Sequence, residues 1–169
     1  RTLGGLGHLA NLHWLDNSSA LIAGQRFVGT TLWFRDGPAN ELYADQLSDF
    51  LRIEKFKERV YEENRKALTF LADTIQPADV VVTHHLPSRI SVPTRFAGDA
   101  LNRFFVCELD ELIEERQPRL WIHGHTHSRC NHSIGRTPVR CNPYGYYGYE
   151  VNPGFEPGLV VELADETSS

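Results

Sequence analysis

The run Val80-Val81-Val82-Thr83 constrains the fold more than any other stretch of the chain. Consecutive β-branched side chains point to alternate faces of a strand, so a sheet that buries all of them is covered on both faces, as parallel sheets in α/β proteins are. The run leads straight into His84-His85, and a second apolar run, Leu120-Trp121-Ile122, leads into His123-Gly124-His125-Thr126-His127. Between them, residues 99–116 carry Leu101, Phe104, Phe105, Leu109, Leu112 and Ile113 at helical spacing, with a break near Cys107. Strand, helix, strand of this kind is a right-handed βαβ crossover, which brings both strand ends to one edge of one sheet. His84, His125 and His127 are therefore expected to converge where α/β sheets bind their ligands.

The rest of the chain supplies the frame. Residues 11–15 read as a short strand. Residues 19–23 and 26–33 read as a hairpin about Gly24-Gln25, with Phe27, Leu32 and Trp33 on its core side. A short helix is expected over 41–52. A longer amphipathic one follows through Phe56, Val60, Ala67, Leu68, Leu71 and Ile75, stopped by Gln76-Pro77. Residues 131–134, 138–141 and 159–163 read as strands of a meander, and residues 1–8 as a loose glycine-rich end.

A chain of 169 residues, 41% hydrophobic and 23% charged, can bury a core as a single domain spanning 1–169. With 17 basic against 22 acidic residues and no basic patch, neither nucleic acid nor an anionic membrane is an expected partner. The sequence has no spanning segment and no signal-peptide pattern, so a cytoplasmic location is expected. Cys107, Cys130 and Cys141 are odd in number and form no C-x-x-C, which favours buried thiols over a disulfide framework. The chain starts at Arg1 and contains no Met, so it is expected to be N-terminally incomplete.

Glycine at 124 lets the backbone approach an ion, and imidazoles at alternate positions offer neutral nitrogen donors. The competing reading is a polar loop whose histidines cap the strand. His123 reads as buried and structural, His132 as a supporting donor, and His8 and His13 as surface residues. Arg89, Arg95 and Asp99 border the site, where an Arg could clamp a phosphate oxygen or join a solvated ion pair. Asn142 and Tyr144, Tyr146, Tyr147 and Tyr149 could form a substrate rim or pack a glycine-rich loop.

Together, the segment Val80-Val81-Val82-Thr83-His84-His85-Leu86-Pro87, the motif Gly124-His125-Thr126-His127 and the closing Cys141-Asn142-Pro143 resemble the calcineurin-like metallophosphoesterases, over roughly residues 11–163. The resemblance implies an α/β fold, a mixed-sheet sandwich flanked by helices that corresponds to the C-terminal part of the family's four layers. It implies hydrolysis of a phosphomonoester or phosphodiester by metal-bound hydroxide, with a phosphorylated small molecule as substrate. The divalent ions would be Mn, Zn, Fe or Mg, with His84 and His125 on one and His127 on the other. His85, the alternative to His84 as ligand, would contact phosphate as a catalytic group, and Arg89, Arg95 and Asn142 would bind substrate.

The family's Asp-x-His, Gly-Asp-x-x-Asp and Gly-Asn-His motifs do not occur in this chain. Weak or absent turnover as this fragment, at most one ion and a homo-oligomer covering an open sheet face are therefore expected. The alternative is a degenerate, non-catalytic module that binds a single metal or a partner. An unrelated His-based zinc hydrolase ranks last, for want of an H-E-x-x-H arrangement.

Overall fold

The structure, a computed structural model, describes residues 11–163. A six-stranded mixed sheet carries the architecture: β1 (Ser18–Ile22), β2 (Gln25–Thr30), β3 (Val80–Thr83), β4 (Leu120–His123), β5 (Cys130–Ile134) and β6 (Thr137–Cys141), in the order β1-β2-β3-β4-β6-β5. The four inner strands β2, β3, β4 and β6 are parallel, and β1 and β5 close the edges antiparallel. A ribbon of β7 (Gly145–Tyr146) and β8 (Glu150–Val151) stands apart. The helices are α1 (Ser48–Arg52), α2 (Phe56–Thr74) and α3 (Asp110–Arg116), with short 3-10 turns between. The fold is thus mixed α/β, with a mixed sheet flanked by helices. Among the described residues the second layer of strands is the small ribbon rather than a full sheet. No helix among them is long and apolar enough to cross a membrane.

Strand register places Val28, Val81, Trp121 and Val139 in one row across the sheet. That row forms the main core with Ala67 and Leu71 of α2 and Ile113 of α3. The periodicity of α2 follows this contact, since Phe56, Val60, Asn64, Ala67 and Leu71 are its buried positions. Asn64 is polar and still belongs there: its Nδ2 donates to Leu32 O at 2.8 Å. A second cluster, of Phe34, Phe56, Val60 and Phe104, fills the space beneath the loop before α1.

Several expected elements shift. The hairpin turn is Ala23-Gly24 rather than Gly24-Gln25, because both turn residues have positive φ, 50° and 83°, as a two-residue turn of matching twist requires. Strand β2 stops at Thr30, not residue 33, because Leu32 and Trp33 adopt φ of 73° and 58° and lead the chain out of the sheet. The expected helix over 41–52 is divided by Leu47, whose extended backbone separates a 3-10 turn at Ala44–Gln46 from α1 and lets Leu47 and Phe50 both reach the second cluster. The break near Cys107 is real: a 3-10 turn at Ala100–Phe104 precedes α3, and Val106 bridges Leu86 between them.

The meander is corrected too. Strand β6, not β5, lies beside β4, since the buried face of Thr137, Val139 and Cys141 suits the inner position better than the half-exposed β5. Residues 159–163 form no strand, and residues 1–8 lie outside the described residues.

Residues 11–15 do not pair as a strand either, yet Leu15 is tightly placed. A Cβ added to Gly29 would lie 2.5 Å from Leu15 Cβ. Gly29→Ala therefore forces the segment off the sheet, and a loss of about 1–3 kcal/mol is expected in urea unfolding, partly restored by Leu15→Ala in the same chain.

Candidate metal and phosphate site

The parallel pairing of β3 with β4 sets Thr83 against His123, so the residues that follow leave the sheet side by side. Gly124 N–H donates to His84 O at 3.1 Å and locks the two loops together. His125 then takes φ 63°, a left-handed turn that carries its ring back over the end of β3. As a result His125 Nδ1 and His84 Nε2 face one another at 3.0 Å. Both rings line a pocket of about 520 Å³, with His127, Arg95, Asp49 and Glu150 also on its wall.

His85 is completely buried. Its Nδ1 lies 3.1 Å from Thr31 O, and its ring packs between Trp33, Phe34 and His125, 4.3 Å from the last. The Nε2 atoms of His85 and His125 are both buried with no hydrogen-bond partner. His127 turns the other way. Its Nδ1 is 2.9 Å from Glu150 Oε2 on β8, and its ring meets Tyr146 edge to face at 4.6 Å. Glu150 and Asp49 are site residues that sequence reasoning missed; for Glu150 the local signal was Gly148 between aromatic residues, a turn that returns the chain as β8.

Of the substrate candidates, Arg95 borders the pocket and donates to Ser128 Oγ at 3.1 Å. Arg89 pairs with Glu108 at 2.6 Å in solvent, and Asn142 holds the backbone of Glu156, so neither is on the pocket wall. Asp99 lines the pocket and caps the following turn by accepting from Leu101 N. Among the tyrosines, Tyr146 lines the pocket. His123 is buried, as expected, between Gly124 O and the Cys130 thiol. His132 meets Ser91 Oγ at 2.9 Å, His13 is exposed, and His8 lies outside the described residues.

Burial favours the neutral form of the His84, His85 and His125 imidazoles. His125 is lowered to about 3 by burial first and then by the neighbouring His84 and His127. His85 is held well below the ordinary range by burial and His125, and His84 is lowered by partial burial, with Asp49 pulling the other way. Neutral rings leave lone pairs available for a cation at neutral pH. They also make folding sensitive to acid: the unfolded chain takes up these protons near pH 6.5, whereas folded His125 resists until about pH 3. Stability is therefore expected to be constant above pH 6.5 and to fall progressively below it. Urea midpoints between pH 7.5 and pH 4 check this, and His125→Gln should flatten the slope.

The fit to metal can be tested on these distances. Two imidazoles on one zinc, with bonds of about 2.0–2.1 Å in a tetrahedral shell, have their nitrogens roughly 3.3 Å apart. The 3.0 Å between His84 Nε2 and His125 Nδ1 is within a few tenths of an ångström of that. No group of three or more His, Cys, Asp or Glu among the described residues is arranged to hold an ion. The donors thus suit one ion held by two imidazoles and solvent, and do not suit a two-ion cluster with a carboxylate bridge. In comparisons with known proteins, no family model, no curated protein and no solved structure matches the chain.

Proposed function

We propose that this pocket is the phosphate-ester site of a metallophosphoesterase-type hydrolase of low activity, organised around one divalent ion. The observation that carries the reading is the facing of His84 Nε2 and His125 Nδ1 at 3.0 Å, at the ends of adjacent parallel strands. A bound ion would polarise a phosphoryl oxygen as a Lewis acid. Arg95 supplies a cation on the pocket wall, and its planar guanidinium suits two phosphate oxygens.

The His127–Glu150 pair carries the proton chemistry. Because a carboxylate only accepts, His127 Nδ1–H donates to Glu150, which fixes the ring and leaves Nε2 to take or deliver a proton at the ester oxygen. Trp33, Leu47 and Phe105 give the same pocket an apolar wall for the organic part of a phosphorylated small molecule.

A second reading, a non-catalytic module that holds one ion and a phosphate group, is favoured by the lack of a third ion ligand among the described residues. Hydrolysis of p-nitrophenyl phosphate with Zn²⁺ or Mn²⁺ separates the two. Slow turnover above that of the free ion, reduced on the order of 10²-fold by His127→Gln, supports the hydrolase. Ion-dependent phosphate binding that is weakened by Arg95→Ala, without turnover, supports the module. Absence of both removes the phosphate reading altogether.

A further inference from the structure

Away from the pocket, the strand register sets Cys130 of edge strand β5 directly opposite Cys141 of β6. Side chains of directly opposed residues lie on the same face of an antiparallel pair, with α-carbons about 4.5–5.5 Å apart, within the span that disulfides bridge. Cys130 is half-buried at the sheet edge and Cys141 is buried behind it.

A third group completes the arrangement. His123 Nε2 lies 3.2 Å from Cys130 Sγ, and His123 Nδ1 lies 3.1 Å from Gly124 O. Since a carbonyl only accepts, Nδ1 carries the ring hydrogen and Nε2 presents its lone pair to the thiol. Of the two opposed thiols, Cys130 on the edge strand is the one a soluble disulfide can reach, which makes it the attacking member of the pair. Cys107 offers the contrast: it is fully buried, accepts from Asn64, and faces no other cysteine.

We propose that Cys130 and Cys141 form a reversible disulfide, with Cys130 attacking and Cys141 resolving, when the protein meets a low-molecular-weight disulfide such as oxidised glutathione. In the first step the Cys130 sulfur bonds to one glutathione sulfur, and the other leaves as thiolate and takes the proton released from Cys130. The Cys141 sulfur then attacks Cys130 Sγ in that mixed disulfide, and the second glutathione leaves with the Cys141 proton. Two protein thiols are oxidised and one glutathione disulfide is reduced to two thiols. The link would tie down the end of the loop that follows His123 and carries His125 and His127, which gives the pocket a redox-sensitive neighbour.

The purified full chain, incubated with oxidised glutathione, alkylated and mapped without reduction, tests this. A peptide linked through Cys130 and Cys141 is expected, with Cys107 still alkylated and reacting at least about tenfold more slowly than Cys130. Cys141→Ser should stall as a glutathione adduct on Cys130, and Cys130→Ser should leave Cys141 unmodified. A lasting adduct on wild-type Cys130 without the cross-link, equal reactivity of Cys107, or zinc that co-purifies and is lost in Cys130→Ser would each overturn the proposal. Mapping of the wild-type chain decides the first two of these without any variant.

Discussion

The Trp121→Ala chain is expected to unfold with about 4 kcal/mol less free energy than the wild type, the largest effect of any single substitution considered for this fold. Trp121 is fully buried in the middle of the row that joins Val28, Val81 and Val139, and α2 and α3 close over it through Leu71 and Ile113. No neighbouring element can collapse into an indole-sized hole without leaving its own strand or helix. The loss has a polar part as well. Trp121 Nε1–H donates to Thr83 Oγ1 at 3.0 Å, and Thr83 in turn donates to His85 O at 2.9 Å. The chain supporting His84 and His85 is thus held from the core side. Trp121→Phe keeps most of the packing and loses the donor, so about 1–2 kcal/mol is expected for it. Urea unfolding of both variants separates packing from the hydrogen bond. Against a typical total of about 5–15 kcal/mol, a loss of that size removes between roughly a quarter and four-fifths of the stability.

The second large effect concerns the ion. His125→Ala removes one of the two imidazole nitrogens that face each other at 3.0 Å, so affinity for Zn²⁺ is expected to drop by on the order of 100-fold or more. His84→Ala should do the same, because the remaining single imidazole binds no better than an exposed surface histidine. His127→Ala is expected to change Zn²⁺ affinity by less than about threefold, since that ring is engaged with Glu150. His13→Ala, at an exposed site, serves as the control. Competition with a zinc-sensitive dye measures all four. A loss of equal size for His127→Ala would mean that the Glu150 pair opens to provide a third ligand.

What could be read from the sequence was what periodicity and strand-end position dictate. Val80-Val81-Val82 and Leu120-Trp121-Ile122 declare buried parallel strands, and the helix between them forces their ends together, so the meeting of His84 with His125 follows from the chain alone. The 3.6-residue spacing from Phe56 to Leu71 declared α2 in the same way. Features set by contacts distant in sequence were not legible. Glu150 reaches His127 across 23 positions, on a ribbon of two-residue strands too short to show alternation. The insertion of β6 between β4 and β5 depends on which strand buries more surface, a comparison that neither strand's own pattern makes. Leu32 and Trp33 look like strand residues by type, and only their tertiary contacts explain why they turn away at positive φ, Leu32 into the main core and Trp33 against the second aromatic cluster. The facing of Cys130 and Cys141 likewise needs the register of β5 on β6.

Calorimetric titration of the chain with Zn²⁺, repeated on the His84→Ala and His125→Ala variants, tests the central claim most directly. One ion bound per chain in the wild type, and none in either variant at the same concentration, is the predicted result. Two ions per chain, or wild-type binding that survives both substitutions, would contradict it.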